Sequence, residues 1–334
     1  MSFKTIRAST ITLLTNSFSV DDILFQYLKQ QSIPDDDSVK KWKRKKYVDR
    51  RDWKVENKKY QKRGEFYINP VFIDTWREEI KEMNSNKVGQ PFVYPESMIE
   101  FAGILHEKNF SYRDLKGTLQ ILSGRLGPFP VISDSQLCRR VNKLDLRFDN
   151  NYTDKIDVGI DGTGNKVTNR GEWMRHKWKV RRGWVKVVIM GTKEGKTVDI
   201  RVGNENLDER RSARGMIRKN KNKIKKVIMD GLHDVEETFN LCGKYNIETA
   251  IKIRKNASEA GLSPRAREVR LYKEIGHKAW AKKRGYGYRW PSSEGIFSSV
   301  KKIFGECLSA KRKRNLYTEA KRKFWAYNKL LNTS

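Results

Sequence analysis

Three acids in this chain stand where their chemistry could be used. Asp161 closes an alternating run, residues 155–161, with Ile156, Val158 and Ile160 on one face and Asp157, Gly159 and Asp161 on the other. Asp230 closes a short apolar run, residues 226–230. Glycine follows each directly, as Gly162 and Gly231, and leaves room for a phosphodiester backbone to come close. If the two runs are neighbouring parallel strands, roughly 4.8 Å apart, their terminal carboxylates can share a cation. Open sheets also take ligands beyond the carboxyl ends of their strands. The third acid, Glu294, precedes Lys301 by seven residues on what reads as a helix over 293–305. Seven steps of about 100° return to nearly the same helix face, with Ile296, Val300 and Ile303 opposite. Three carboxylates are enough for hard divalent cations, and two Mg²⁺ about 3.5–4 Å apart can activate water and stabilise a leaving alkoxide in phosphodiester cleavage. Taken singly, each acid is as well explained as a surface or capping residue, since the chain has 40 Asp and Glu to distribute.

The elements that would position these acids follow from the apolar pattern. Strands are expected over 155–161, 183–191, 197–202, 226–230 and 248–253, and helices over 212–222, 235–245, 293–305 and 319–331. Three strands, then strands crossed by helices, is the order of a ribonuclease H-like domain with a mixed five-stranded sheet. Upstream, three apolar stripes predict three helices within residues 95–145: Met98, Ile99, Ala102 and Leu105; Leu115, Leu119 and Leu122; Leu137, Val141 and Leu144. The third opens on Ser133-x-x-Gln136, a capping-box pattern, and its polar face carries Arg139, Arg140 and Lys143. That set suits a helix-turn-helix reader of DNA, and equally a small bundle with a solvated basic face. The expected organisation is an N-terminal region, 1–90, partly helical and basic; a helical DNA-binding domain, 91–150; and an α/β catalytic domain, 151–334. Within the first region a helix is expected over 20–30, and a basic run, 40–46, contains Trp42.

Charge narrows the class of partner. Lys and Arg total 71 against 40 acids, an excess of +31 that repels itself in a compact state and points to a polyanion. No apolar stretch is long enough to span a bilayer, and the N-terminus lacks the pattern of a secretory signal, so no membrane partner is expected. Cys138, Cys242 and Cys307 are far apart and form no metal-binding pair, as suits a reducing cytosol.

The blocks around the acids resemble a known family. Ile160-Asp161-Gly162-Thr163-Gly164 with residues 167–173, Met229-Asp230-Gly231-Leu232-His233-Asp234, and Glu294-Gly295-Ile296-Phe297 with Lys301 are together similar to the three acid blocks of DDE transposases of the insertion sequence five family. That family belongs with the insertion sequence four superfamily, and the likeness is greatest to archaeal members. It runs from about Asn57 to the C-terminus. Three departures stand out: Gly162 replaces the usual Ser, His233 replaces a Tyr, and Arg289 has four residues between it and Glu294 where the superfamily pattern, Tyr-x2-Arg-x3-Glu-x6-Lys, has three. The resemblance implies an enzyme that binds the terminal inverted repeats of its element, cuts there and joins the freed 3′ ends to target DNA. Asp161 would be a ligand shared by both metals, with Asp230 and Glu294 each holding one. Lys301, Arg289 and Tyr286 would meet the DNA. Mg²⁺ would be the cofactor, with Mn²⁺ able to substitute, and the active complex would be a homodimer in a prokaryotic cytoplasm, on the nucleoid. A ribonuclease H-fold nuclease that cuts without joining and a catalytically inactive DNA-binding protein remain as alternatives. Trp173, Trp178 and Trp184, among Arg and Lys, are read either as packing or as a base-stacking surface.

Overall fold

The computed structural model describes residues 52–68, 70–148, 152–168, 176 and 183–332. The expected helix over 20–30, the basic run 40–46, Trp173 and Trp178 lie outside the described residues. From Trp53 onward the chain forms one compact unit. Among the described residues five helices come first: α1 (Trp53–Ile68), α2 (Phe72–Asn84), α3 (Glu96–Glu107), α4 (Tyr112–Leu126) and α5 (Asp134–Val141). Then follow β1 (Ile156–Val167), β2 (Trp184–Thr192), β3 (Thr197–Asn204), α6 (Glu209–Asn220), β4 (Ile224–Met229), α7 (Glu236–Lys244) and β5 (Glu248–Ile251). The chain closes with α8 (Pro264–Arg284), α9 (Gly295–Phe304), β6 (Cys307–Leu308) and α10 (Lys313–Asn332).

The sheet has six strands, one more than expected, in the order β3-β2-β1-β4-β5 with β6 against β1. β1, β2 and β3 meander antiparallel, and β4, β5 and β6 join in parallel. β6 escapes a sequence reading because two residues show no periodicity. A second correction concerns β1, which does not end at Asp161 but continues to Val167. Gly162-Thr163-Gly164-Asn165 has little strand propensity of its own, yet β2 pairs with it through Lys166↔Trp184 and supplies the order that propensity does not.

Each face of the sheet has its own core. On one face Val158, Ile160, Val188, Met190 and Met229 pack against Ala213, Met216 and Ile217 of α6, Phe239 of α7 and Val269 of α8. On the other, Val185, Val187 and Ile189 pack with Ile296, Val300 and Phe304 of α9 and with Phe324 and Ala326 of α10. The buried stripes of α3, α4 and α5 belong to this same second core, including Met98, Leu115 and Leu137. With both faces covered, β2 is apolar nearly throughout.

Helix ends are set by short polar residues. Ser111 and Asp114 make a full capping box at α4, at 3.1 and 3.0 Å, whereas Ser133 of the expected box at α5 accepts only from the Gln136 amide, at 3.3 Å. α10 braces the helical region with a buried ion pair, Arg322 to Glu107 of α3 at 2.5 Å, and Arg322 also donates to the Val141 carbonyl. Breaking such a pair by removing one partner costs about 3–5 kcal/mol, because the other charge stays buried. Lys323 takes the carbonyls of Phe304, Gly305 and Cys307, so α10 also fixes the end of α9 and the turn into β6.

Candidate active site

Asp161 and Asp230 meet through strand register. β1 and β4 run parallel and pair up to Ile160↔Met229, so the two acids are the next residues on adjacent strands. Beyond that point β4 leaves the sheet, while β1 meets β6 only at Lys166↔Cys307. Asp161 therefore sits where a strand edge opens, at the carboxyl end of β4. Asp230 caps a 3₁₀ turn, Gly231–His233, by accepting from the Leu232 amide at 3.0 Å.

Glu294 arrives from the far end of the chain on a π-helical turn, Trp290–Glu294, that leads into α9. Two glycines make the seat for that turn. Gly159 and Gly191 are cross-strand partners, and a Cβ on either would overlap Ser292, which for Gly191 means the rigid backbone carbonyl. The π turn also accounts for the extra residue before Glu294. An α-helix brings residues i and i+4 into line, and a π turn carries one residue more. Arg289 and Glu294 thus face each other across five positions, and Arg289 donates to the Glu294 carboxylate. With that residue absorbed, Arg289 and Glu294 face each other as two residues with three between them would on an α-helix.

Arg289 is the centre of the cluster. Its second amino group donates to Asp161 at 2.8 Å, so one guanidinium joins two of the three acids. Burial works against its charge, but Tyr286, Asp161, Glu294 and Asp230 outweigh burial and hold Arg289 above its ordinary value. Asp161 is pushed above the usual aspartate range, chiefly by burial and further by Asp230 and Glu209, against the Gly162 amide and Arg289. Tyr286 is raised by burial, with Arg289 opposing and the three carboxylates adding to it. It packs on Trp280 of α8, ring centroids 5.4 Å apart. Tyr288 and Trp290 beside it are exposed.

The donor set fits hard divalent cations: carboxylate oxygens from three segments, in a place that already draws in a cationic group. Among the described residues no three acid, imidazole or thiolate side chains converge on one point; Arg289 lies between Asp161 and Glu294.

The other expected residues divide. Lys301 is on α9, half-buried, and acts on Glu306, whose carboxyl is held low first by Lys166 and then by Lys301. Arg139, Arg140 and Lys143 are not part of the acid cluster. Arg139 and Lys143 are exposed on a cleft beside α10. Arg140 turns back, donating to the Tyr94 carbonyl at 3.1 Å and pairing with Glu96 at 3.9 Å. His233 is 1 % exposed, too enclosed to touch a ligand. Trp184 lies over Gly164. Glu209 was missed by the sequence reading. Its carboxylate would lie 2.6–2.8 Å from a Cβ on Gly162, and it pairs with Lys186 at 2.8 Å. The signal was the departure itself, since a serine at 162 would crowd that carboxylate.

A mixed α/β fold with a six-stranded sheet and acids at the carboxyl end of β4 is consistent with a ribonuclease H-like DDE domain. A family model described as "Transposase DDE domain" matches residues 153–329, more than half of the chain, and a second model of the same description matches residues 61–170. The chain belongs to the transposase DDE-domain family. No curated protein matched it. Among the described residues no helix is long and apolar enough to cross a membrane.

Proposed function

We propose that this chain is an insertion-sequence transposase that binds the inverted repeats at its element's ends, cuts there and joins the freed 3′ ends to target DNA. The observation that supports the reading is that Arg289 joins Asp161 to Glu294, from opposite ends of the catalytic part, while Asp230, next in register to Asp161, acts on the same guanidinium through space. Asp161 would hold two Mg²⁺ ions, or Mn²⁺ in their place, with Asp230 and Glu294 each holding one. When bound, the ions would supply an activated water and charge stabilisation for the leaving oxygen. The chain's own residues do the remaining work. Arg289, Lys301 and Tyr286 hold the backbone of the element end. Arg289 gives up a carboxylate when it takes a phosphate, so DNA binding and opening of the acid cluster are one event. Arg139 and Lys143 meet the DNA in a helical part, residues 91–150, with Arg140 bracing them, and residues 151–334 form the catalytic part. The assignment extends to the archaeal-type insertion sequence five family, to a homodimer as the active complex, and to the cytoplasm and nucleoid of a prokaryotic cell.

Mixing the protein with duplexes carrying the repeats that flank its gene, target DNA and Mg²⁺, and sequencing the products, tests this. Cuts at the element ends with 3′ ends joined to target are expected. Cuts without joins would identify a nuclease of this fold, and metal-independent or absent cleavage would remove the carboxylate mechanism.

A further inference from the structure

A second charged feature lies away from the acids. A cleft of about 770 Å³ opens between α5 and the turn into α10, lined by Arg139, Lys143, Lys311, Arg312 and Arg314. A cleft of about 470 Å³ shares Lys143 and Arg314 with it and adds Arg201 of β3 and Lys321. A third, about 370 Å³, shares Arg201 and Lys321 with the second and adds Arg147, Lys219 and Lys223. Shared walls make the three one continuous trench, running from the helical region past α10 to the edge strand β3 and the start of β4.

The acids along this trench are already engaged. Glu319 accepts from the Ser309 and Ala310 amides at 2.9 and 2.8 Å, which fixes the turn that presents Lys311 and Arg312. Asp145 pairs with Arg147 at 2.5 Å, and Asp199 with Lys219 at 3.1 Å. Among the described residues Arg139, Lys143, Arg201, Arg312 and Arg314 have no ion-pair partner. Lys321 is held below the ordinary lysine range, first by burial, with Lys219 and Arg201 pushing the same way against Asp145 and Asp199. Cations gathered without counter-charges destabilise the compact state unless a polyanion meets them. The trench is not the place of the cut. Lys223 precedes β4 and Asp230 follows it, and seven residue steps at ~3.3 Å each along the strand put about 23 Å between them.

We propose that this trench is a second DNA track, which grips the sugar-phosphate backbone of duplex DNA remote from the scissile bond. The partner rests on the transposase reading above; the trench itself does not. Cations strung along a trench match a ligand whose charge repeats along its length, as the phosphates of a duplex do. The track draws on both the helical part and the sheet, so bound DNA would bridge them.

The test compares two triple charge reversals in the full chain. One is Arg201→Glu with Arg312→Glu and Arg314→Glu; the other, Lys58→Glu with Lys255→Glu and Lys278→Glu, makes the same change in net charge at exposed positions elsewhere. Affinity is measured by fluorescence anisotropy for a long end-containing duplex, for a short duplex spanning only the cut, and for an RNA duplex, with thermal melts to verify folding. The trench variant should bind the long duplex on the order of 100-fold more weakly, and its log–log salt slope should fall by roughly 0.9 for each of three contacts. The short duplex should lose far less, and the other triple should lose under about tenfold on the long one. Arg312→Ala with Arg314→Ala, both exposed at the entry to α10, is the milder variant should the reversal unfold the chain; it should lower the slope by about two contacts. Equal losses from the two triples, an unchanged slope, or a loss confined to RNA would each overturn the proposal. Failure of the catalytic reading would look different: no cleavage by the wild-type chain, with DNA affinity and its dependence on the trench intact.

Discussion

The acid cluster and the basic trench solve opposite electrostatic problems in one chain. At the carboxyl end of β4 two carboxylates, Asp161 and Glu294, share a single cation, Arg289, with Asp230 acting on it through space, and charge of one sign is compensated inside the protein. Along α5, β3 and the entry to α10 five cations stand without ion-pair partners among the described residues, and compensation is left to whatever binds. An internal counter-charge keeps acids close together until a ligand replaces it. An absent counter-charge makes binding itself the stabilising event. The first arrangement suits a site that must bring reacting groups together, the second a surface that must hold a polymer.

Substitutions at Asp161, Gly191 with Gly162 as its control, and Arg289 test that contrast, in descending order of expected effect. Asp161→Asn should abolish metal-dependent cleavage while leaving DNA affinity within about threefold, since phosphate contacts, not the acids, carry affinity. Its stability should move the other way. The folded chain raises the Asp161 pKa, so the charged form costs stability above that pKa, and the cost disappears as pH falls below the unfolded value, about 3.9. The Asn variant should therefore melt no lower than wild type at pH 7.5, with any advantage fading toward pH 3. A clearly lower melting temperature at pH 7.5 would mean that Asp161 is a structural ion-pair partner rather than a strained site acid.

Gly191→Ala tests the seat of the π turn. Its Cβ would overlap the Ser292 carbonyl, so the Glu294 segment must lift off β2, and a shift of about 1 Å can cost on the order of 100-fold in rate. Single-turnover cleavage should fall by that much with DNA binding retained. Gly162→Ser, which meets only the end of the Glu209 side chain, should cost much less. Equal losses from the two would show that the Ser292 contact does not set the position of Glu294.

Arg289→Ala gives the smallest expected change and the sharpest sign. If its guanidinium stands in for a bound cation, removing it should tighten Mn²⁺ binding by the DNA-free protein severalfold, read by titration calorimetry, and weaken end-DNA binding by about one phosphate contact. Weaker Mn²⁺ binding would identify Arg289 as a scaffold for the acids instead.

Much of the molecule was legible without coordinates. The apolar runs that became β2, β3, β4 and β5, and the stripes of α3, α4 and α5, carry their periods openly, because burial on a sheet face or helix stripe imposes a repeat on the sequence. Ile296 and Val300 marked the buried face of α9 in the same way. α8 was missed because it buries few residues, Ala266, Val269 and Trp280 among them, and breaks at Gly276, where φ is +73°. The tail of β1 was missed because Gly162-Thr163-Gly164 becomes a strand only when β2 pairs with it.

Local pattern accounts for elements because their hydrogen bonds and periods are local. It says nothing about which charges meet. The acid types and the Glu294–Lys301 spacing were present in the sequence, and family resemblance raised them above the other acids. That Arg289 bridges Asp161, 128 positions away, and that Arg322 reaches Glu107 across 215, depends on strand register and helix packing. So does the trench, whose basic walls come from α5, β3 and α10 and become one surface only when those elements share a core. Side-chain electrostatics acts through space, and only the tertiary structure decides which distant residues are neighbours.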